Sequence, residues 1–134
     1  MTIGLNATLR NSRLDSITAR AGASALLRIY SGTRPATGGA ETTLLAQLTC
    51  NSVFAPAAGG GVLTLNAIAT QTSAAATGSA SWFRILQSNG TTHVLDGSVS
   101  TIAAGTGDLQ LDDTAIVGGG TVAISSATFT EGNA

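Results

Sequence analysis

Ser81-Trp82-Phe83-Arg84-Ile85-Leu86-Gln87-Ser88, then Asn89-Gly90, then Thr91-Thr92-His93-Val94-Leu95-Asp96 is the stretch whose reading decides the fold. Two alternating runs flank Asn-Gly, the strongest short hairpin signature, because a type I′ turn needs positive φ at both central residues. Pairing Ser88 with Thr91 sets the register. Leu86 then faces His93, Ile85 faces Val94, Arg84 faces Leu95 and Phe83 faces Asp96. Side chains alternate along a strand, so Phe83, Ile85 and Val94 are expected on one face and Trp82, Arg84, Leu86, His93 and Leu95 on the other.

The same period of two recurs on both sides of the hairpin. Leu27 and Ile29 alternate with Arg28 and Tyr30, and Leu44, Ala46, Leu48 and Cys50 alternate with Leu45, Gln47 and Thr49. Further strands are expected over 62–68, 99–102, 109–111, 115–117 and 121–130. Gly-rich and Pro-containing loops fall at 31–39 and 56–61, and the small polar residues 71–77 read as exposed. Only residues 6–22 carry helical signals: Asn6 as cap, Leu9, Leu14, Ile17 and Ala21 on one side, Arg10, Arg13, Arg20 and Asp15 on the other, and Gly22 as stop. The fold class expected is mainly β: an antiparallel β-sandwich or jelly-roll-like domain of about eight short strands behind one N-terminal amphipathic helix. The 134 residues suffice for a single domain, helix 6–22 followed by a β domain over 25–130.

Composition narrows the function. Charged residues make up 10 % of the chain, against about 25 % in an ordinary soluble domain. The basic residues are six Arg with no Lys, which excludes chemistry that depends on a lysine. They are dispersed and balanced by seven acids, so no phosphate-tracking surface and no nucleic-acid partner is expected. Near-zero net charge favours association over colloidal repulsion. Cys50 is the single cysteine and cannot form an intrachain disulfide. Residues 1–13 lack a signal-peptide layout, and no apolar run approaches the roughly 18 residues that span a bilayer. The chain is expected to fold in a cytoplasm, with no membrane partner.

Candidate chemistry is sparse. His93 is the sole histidine; Asp96, three residues on, is expected on the opposite face of the strand, so His93 reads as a cross-strand partner of Leu86 rather than a general base. Asp108, Asp112 and Asp113 form an acidic cluster whose spacing does not match a calcium loop, and a solvated turn is the first reading. The glycine runs 59–61 and 118–120 have no Lys following and read as turns, not phosphate cradles. Cys50 reads as a small buried hydrophobe. Trp82 reads first as core and second as an interface anchor, whereas Tyr30, on the Arg28 face of its strand, suits either. No catalytic residue, cofactor or metal ligand is expected.

Taken as a series, Leu26-Leu27-Arg28-Ile29-Tyr30-Ser31-Gly32-Thr33-Arg34-Pro35, Gly61-Val62-Leu63-Thr64-Leu65-Asn66-Ala67-Ile68, Ala80-Ser81-Trp82-Phe83-Arg84 and Gly90-Thr91-Thr92-His93-Val94-Leu95-Asp96-Gly97 resemble a family of small virion structural proteins of tailed bacteriophages and prophages. The resemblance runs from the N-terminal helix to the last strand. It implies a non-enzymatic particle component found in the virion, with other phage structural proteins (major capsid protein or tail components) and copies of itself as partners. A compact β domain of this size suits a capsid cement or decoration protein, whose weak contacts gain strength by multivalency. The alternative is a small tail-fibre or tail-tip module that binds a host receptor or glycan. Contacts are expected through the N-terminal helix, with Arg10 and Arg13, through the Arg34-Pro35 loop, and through Tyr30 and Trp82 where these are exposed.

Overall fold

Asn6 and Gly22 bound the one helix as their chemistry dictates. Helix α1 (Ala7–Ala21) starts where Asn6 Oδ1 accepts the Thr8 N–H at 2.8 Å and stops at Gly22, φ +71°, whose N–H reaches the Thr18 carbonyl at 3.2 Å. The computed structural model describes residues 3–131. Leu14 and Ala21 are buried and Ile17 packs against the core. Leu9, expected with them, is 49 % exposed. Five residues at 3.6 per turn place it about 140° from Leu14. Arg10, four residues before Leu14, takes the buried flank instead of the expected outer face.

Nine strands follow among the described residues: β1 (Leu26–Ser31), β2 (Thr43–Thr49), β3 (Val62–Thr64), β4 (Gly78–Ser79), β5 (Trp82–Leu86), β6 (His93–Thr101), β7 (Leu109–Leu111), β8 (Ala115–Ile116) and β9 (Ser126–Thr130). The chain is thus mainly β behind an N-terminal helix, as its patterning implied. Seven strands form one sheet in the order β2-β1-β5-β6-β7-β9-β3, and β4 pairs with β8 in a second, small sheet. The strand expected over 99–102 is the end of β6, and those expected over 62–68 and 121–130 are shorter.

Every ladder is antiparallel except β6–β7, which runs parallel with Val99 opposite Leu109. Residues 102–108 make this sharp return, and Gly107 permits it. A Cβ there would stand 2.5 Å from the Ser100 nitrogen and 2.8 Å from the Val99 carbonyl carbon. Backbone lies on backbone, with the Gly107 N–H donating to Ser100 Oγ at 2.9 Å.

The large sheet curls over its own core. β5 and β9 are three places apart, roughly 14 Å in a flat sheet, yet Phe83 and Phe129 stack with ring centroids 6.0 Å apart. Leu27, Ile29, Leu63, Ile85 and Leu109 fill the space between. Helix α1 is tied to the same unit: Asp15 Oδ1 accepts the Ala58 N–H at 2.7 Å and Asn11 Oδ1 the Gly61 N–H at 2.8 Å. The accessible surface, 6540 Å², matches the roughly 6,400 Å² expected for a compactly folded chain of this mass.

Residues 71–77 are less free than their polarity suggested. Gln71 exchanges both backbone hydrogen bonds with Val122, its Oε1 accepts the Gln47 N–H at 2.8 Å, and Ala74 is buried. Together with Ala75 N–H on the Leu45 carbonyl, 2.8 Å, these contacts cover the outer edge of β2, the kind of unpaired edge that otherwise recruits foreign strands.

Candidate functional site

The Asn89-Gly90 turn positions the polar face of the sheet, by a route that differs from the expected one. Gly90 has φ +72° but Asn89 does not adopt positive φ. The loop closes one step wider, with Gln87 N–H on the Thr92 carbonyl at 2.9 Å, while Asn89 Oδ1 accepts from the amides of Thr91 and Thr92. Leu86 still faces His93. A bulge then shifts the register, so that Ile85 faces Leu95, Arg84 faces Asp96, Phe83 faces Gly97 and Trp82 faces Ser98. This one-residue slip turns Asp96 to the outer face and corrects the expectation that His93 and Asp96 lie apart: His93 Nε2 is 3.0 Å from Asp96 Oδ1.

On that face Gln47, Arg28, Arg84 and Asp96 line up across β2, β1, β5 and β6. Arg28 directly opposite Arg84 is a like-charge pair, which is unfavourable in a ladder. Two contacts offset it. Asp96 accepts a bidentate pair of hydrogen bonds from Arg84, Nε to Oδ1 at 2.7 Å and Nη2 to Oδ2 at 3.0 Å, and Glu41 stands between the arginines at 3.4 Å from Arg28 Nη1 and 3.8 Å from Arg84 Nη1. Arg84 also lies over the Trp82 ring, Cζ to centroid 5.2 Å, and Trp82 stacks on Tyr30 at 4.3 Å.

Residues 32–42 form a strap over this row. Ser81 Oγ donates to the Gly32 carbonyl, the Gly38 N–H donates to Asp96 Oδ2 at 3.0 Å, Arg84 Nη2 donates to the Gly39 carbonyl at 2.9 Å, and Trp82 Nε1 donates to Thr42 Oγ1 at 2.9 Å. Burial by itself pushes the Asp96 carboxyl up, but the hydrogen bonds from Arg84, the Gly38 amide and His93 outweigh it and hold the group at about 2. The Arg84 guanidinium is correspondingly raised, chiefly by its hydrogen bond to Asp96. Burial first, and then the neighbouring Glu41, push the Tyr30 phenol up to about 12. Chemically the arrangement is a clamp: its charges are spent on each other and on the strap backbone.

The candidate residues fall in different places. Trp82 and Tyr30 are buried, at 1 % and 0 % exposure: Trp82 is interior, as its first reading had it, and the strap that covers both leaves neither as the exposed interface anchor that was the other reading. Arg34 is exposed and Pro35 half-buried at the strap tip. Arg13 pairs with Glu131 at 2.9 Å, and Arg10 lies against Gly61 with Nη1 3.4 Å from the Glu131 carbonyl. Both therefore tie the helix to the end of β9. The three acids of the expected cluster diverge: Asp108 Oδ2 accepts from Ser98, Asp112 Oδ1 from Ser125 Oγ, and Asp113 Oδ1 from the Ala115 amide. Among the described residues no three His, Cys, Asp or Glu side chains gather into a metal site. Cys50 is buried, and burial pushes its thiol up to about 11. Gly60 and Gly61, with φ +61° and +77°, form a two-residue turn closed by reciprocal hydrogen bonds of Gly59 and Val62. No helix among the described residues is long and apolar enough to cross a membrane.

Glu41 is the residue that sequence reasoning passed over. Its signal was available: it is the one acid between Asp15 and Asp96, and two arginines on outer strand faces call for a counter-charge. A second overlooked feature is where charge is missing. Residues 42–83 and 114–130 contain no charged side chain, and the fold pairs these two runs with each other, β3 with β9, β4 with β8 and Gln71 with Val122. The charges that reach these runs come from outside them: Asp15 at Ala58, Arg10 at Gly61, Asp112 at Ser125 and Asp113 at Ala115. Comparison with protein families, curated proteins and solved structures finds no match to this chain.

Proposed function

We propose that the chain is a non-enzymatic structural component of a tailed-bacteriophage particle, a cement protein that stabilises the capsid shell by many weak, identical contacts. The observation that carries this reading is that two long uncharged runs, residues 42–83 and 114–130, pair with each other in the fold. Interface cores are depleted in charge because each buried ion must be desolvated, and a surface of Ala, Thr, Ser and Gly avoids that cost. Many shallow contacts of this kind then add across a lattice. The resemblance of the strands around Tyr30, Leu63, Trp82 and His93 to phage virion proteins points to the same class. The Arg84–Asp96 clamp serves it by making residues 32–42 a rigid part of the surface.

Quantitative mass spectrometry of purified particles tests the proposal. Copies in the hundreds per particle, with density for the chain on the shell, are the expected result. A few to a few tens of copies would move it to the tail, and absence from mature particles would end the reading.

A further inference from the structure

From the Asn89-Gly90 turn we infer that this chain carries a modification site guarded by its own fold. Asn89 loses ammonia to the Gly90 nitrogen while the chain is unfolded, and the closed hairpin holds that reaction back. Asn89 is the one asparagine that a glycine follows. The chemistry favours that neighbour, because a residue without Cβ leaves its backbone nitrogen open and its φ free. Asn89 is exposed, so water reaches it in the folded chain as well. Protection therefore comes from hydrogen bonding and not from burial.

The bonds balance with water as the only added reagent. The Gly90 nitrogen gives up its proton and attacks Asn89 Cγ. The N–Cγ bond forms, the Cγ–Nδ2 bond breaks, and Nδ2 leaves as ammonia with that proton, closing a cyclic succinimide. Water then opens the ring. Opening at Cγ gives aspartate, whereas opening at the main-chain carbonyl gives isoaspartate, whose backbone runs through Cβ and Cγ and is longer by a carbon. Either product gains a negative charge.

The native turn opposes the first step at each atom that takes part. The Gly90 N–H donates to the Gln87 carbonyl at 2.9 Å, so the nucleophile is tied through the proton it must lose. The side-chain amide is held as well: Oδ1 accepts from the amides of Thr91 at 3.0 Å and Thr92 at 2.9 Å, and Nδ2 donates to Thr92 Oγ1 at 2.7 Å. Donors on Oδ1 polarise the carbonyl, which by itself favours attack. That help counts only after the Gly90 N–H has left Gln87 and the amide has turned toward the Gly90 nitrogen, so the turn has to open first. Opening also works against β1, since Gly90 is packed there: a Cβ on it would stand 3.3 Å from Arg28 Nη2 and 3.6 Å from Leu26 Cδ1.

The two products differ in what they do to the fold. Aspartate keeps an acceptor for the Thr91 and Thr92 amides and loses only the donation to Thr92 Oγ1. Isoaspartate lengthens the chain between Gln87 and Thr92, whose backbone hydrogen bond at 2.9 Å closes the loop. It therefore breaks the hairpin that sets Arg84 opposite Asp96. A chain that is slow to fold is covalently marked at this turn and a folded chain is spared, whatever particle or partner it serves.

Peptide mapping by mass spectrometry tests it, with the full chain incubated at mildly alkaline pH either native or in guanidinium chloride. Deamidation at Asn89 is expected to run about tenfold or more faster in the denatured chain than in the native one, with isoaspartate among the products. Isoaspartyl chains are expected to fail to regain native circular dichroism when the denaturant is removed. Thr92→Val keeps the backbone contacts and removes the acceptor for Nδ2, so the folded variant, identified by its circular dichroism, is expected to deamidate several-fold faster than the native wild type. Four results would each overturn the proposal: equal rates in native and denatured chains, a denatured chain that keeps Asn89 intact, isoaspartyl chains that refold, or a folded Thr92→Val chain no faster than wild type.

Discussion

Arg84 and Asp96 face each other across β5 and β6 only because the hairpin slips by one residue at Ile85/Leu86. In the unslipped register Asp96 would oppose Phe83, and its carboxylate would point into the stack of Phe83 on Phe129. Burying an unpaired carboxylate there costs several kcal/mol. The bulge instead brings Gly97 opposite Phe83, where a Cβ would stand 2.5 Å from Phe83 Cε1. Hydrophobic packing, the ion pair and the missing side chain at Gly97 all select the same register.

Removing one partner of that pair strands the other. Asp96→Asn and Arg84→Met are each expected to lower stability by about 3–5 kcal/mol and to speed amide exchange at Gly38, which donates to Asp96. Arg84→Met combined with Asp96→Leu, which leaves no lone charge, recovers much of the loss. Urea denaturation checks the energies. A fully stable Asp96→Asn chain would show that the strap does not depend on the clamp.

Stability has a defined acid limb. Asp96 is held at about 2 in the folded chain, against about 3.9 when unfolded, so between those values the unfolded state binds more protons and stability falls as pH falls. The contribution, roughly 2.5 kcal/mol, is fully present above about pH 4 and lost through pH 2. Urea midpoints measured from pH 5 downward should show this loss in the wild type and a shallower slope in Asp96→Asn.

The alkaline limb has the opposite sign. Tyr30 is pushed up to about 12 by burial and by Glu41, so above the ordinary value near 10 the unfolded chain gives up a proton that the folded one keeps. Stability is therefore lost as pH rises from about 10 to 12, by roughly 3 kcal/mol. Tyr30→Phe removes the titrating group and is expected to flatten this limb. Glu41 and Arg28 both act on its buried hydroxyl, although neither meets full hydrogen-bond geometry, so the variant is expected to lose little stability at neutral pH. Tyrosinate absorbance on titration gives an independent readout.

Local signals were legible in the sequence and contacts between distant residues were not. Asn6 and Gly22 mark the helix because caps act on the nearest turn, and the alternation around Asn89-Gly90 reveals the hairpin for the same reason. Arg10, four residues before Leu14, lies on the buried flank for the same local reason, the 100° step of the helix. The bulge is different: it follows from Phe83 meeting Phe129 and Arg84 meeting Asp96, and neither pair is visible before the sheet curls. Likewise the parallel β6–β7 ladder depends on Gly107 pressing against the Val99–Ser100 backbone. The strap over Tyr30 and Trp82 needed Glu41, whose role appears only once Arg28 and Arg84 are adjacent.

Cys50 should be inert while the chain is folded. It is 4 % exposed, and its thiol is raised to about 11, so little thiolate exists at neutral pH and reagent access is blocked. Labelling with iodoacetamide is expected to follow global unfolding in urea. Fast labelling of the native chain would place Cys50 in a region that opens locally.

The glycines separate conformational need from spatial need. Gly107 has an ordinary φ, so Gly107→Ala is not a backbone-strain variant. Its cost comes from the Ser100 nitrogen and the Leu109 carbonyl oxygen, 2.5 and 2.9 Å from the new Cβ, neither of which can move without parting β6 from β7. Gly59 also has an ordinary φ, and no atom lies within 4 Å of a Cβ added there. Gly107→Ala is expected to cost about 2–4 kcal/mol through overpacking against backbone, whereas Gly59→Ala should be neutral or stabilise by about 0.4–1 kcal/mol by restricting the unfolded chain. Thermal melts of the two variants side by side decide it. Equal melting temperatures would mean that the parallel ladder yields easily, and the tight return at 102–108 would then not be held by the absence of a side chain.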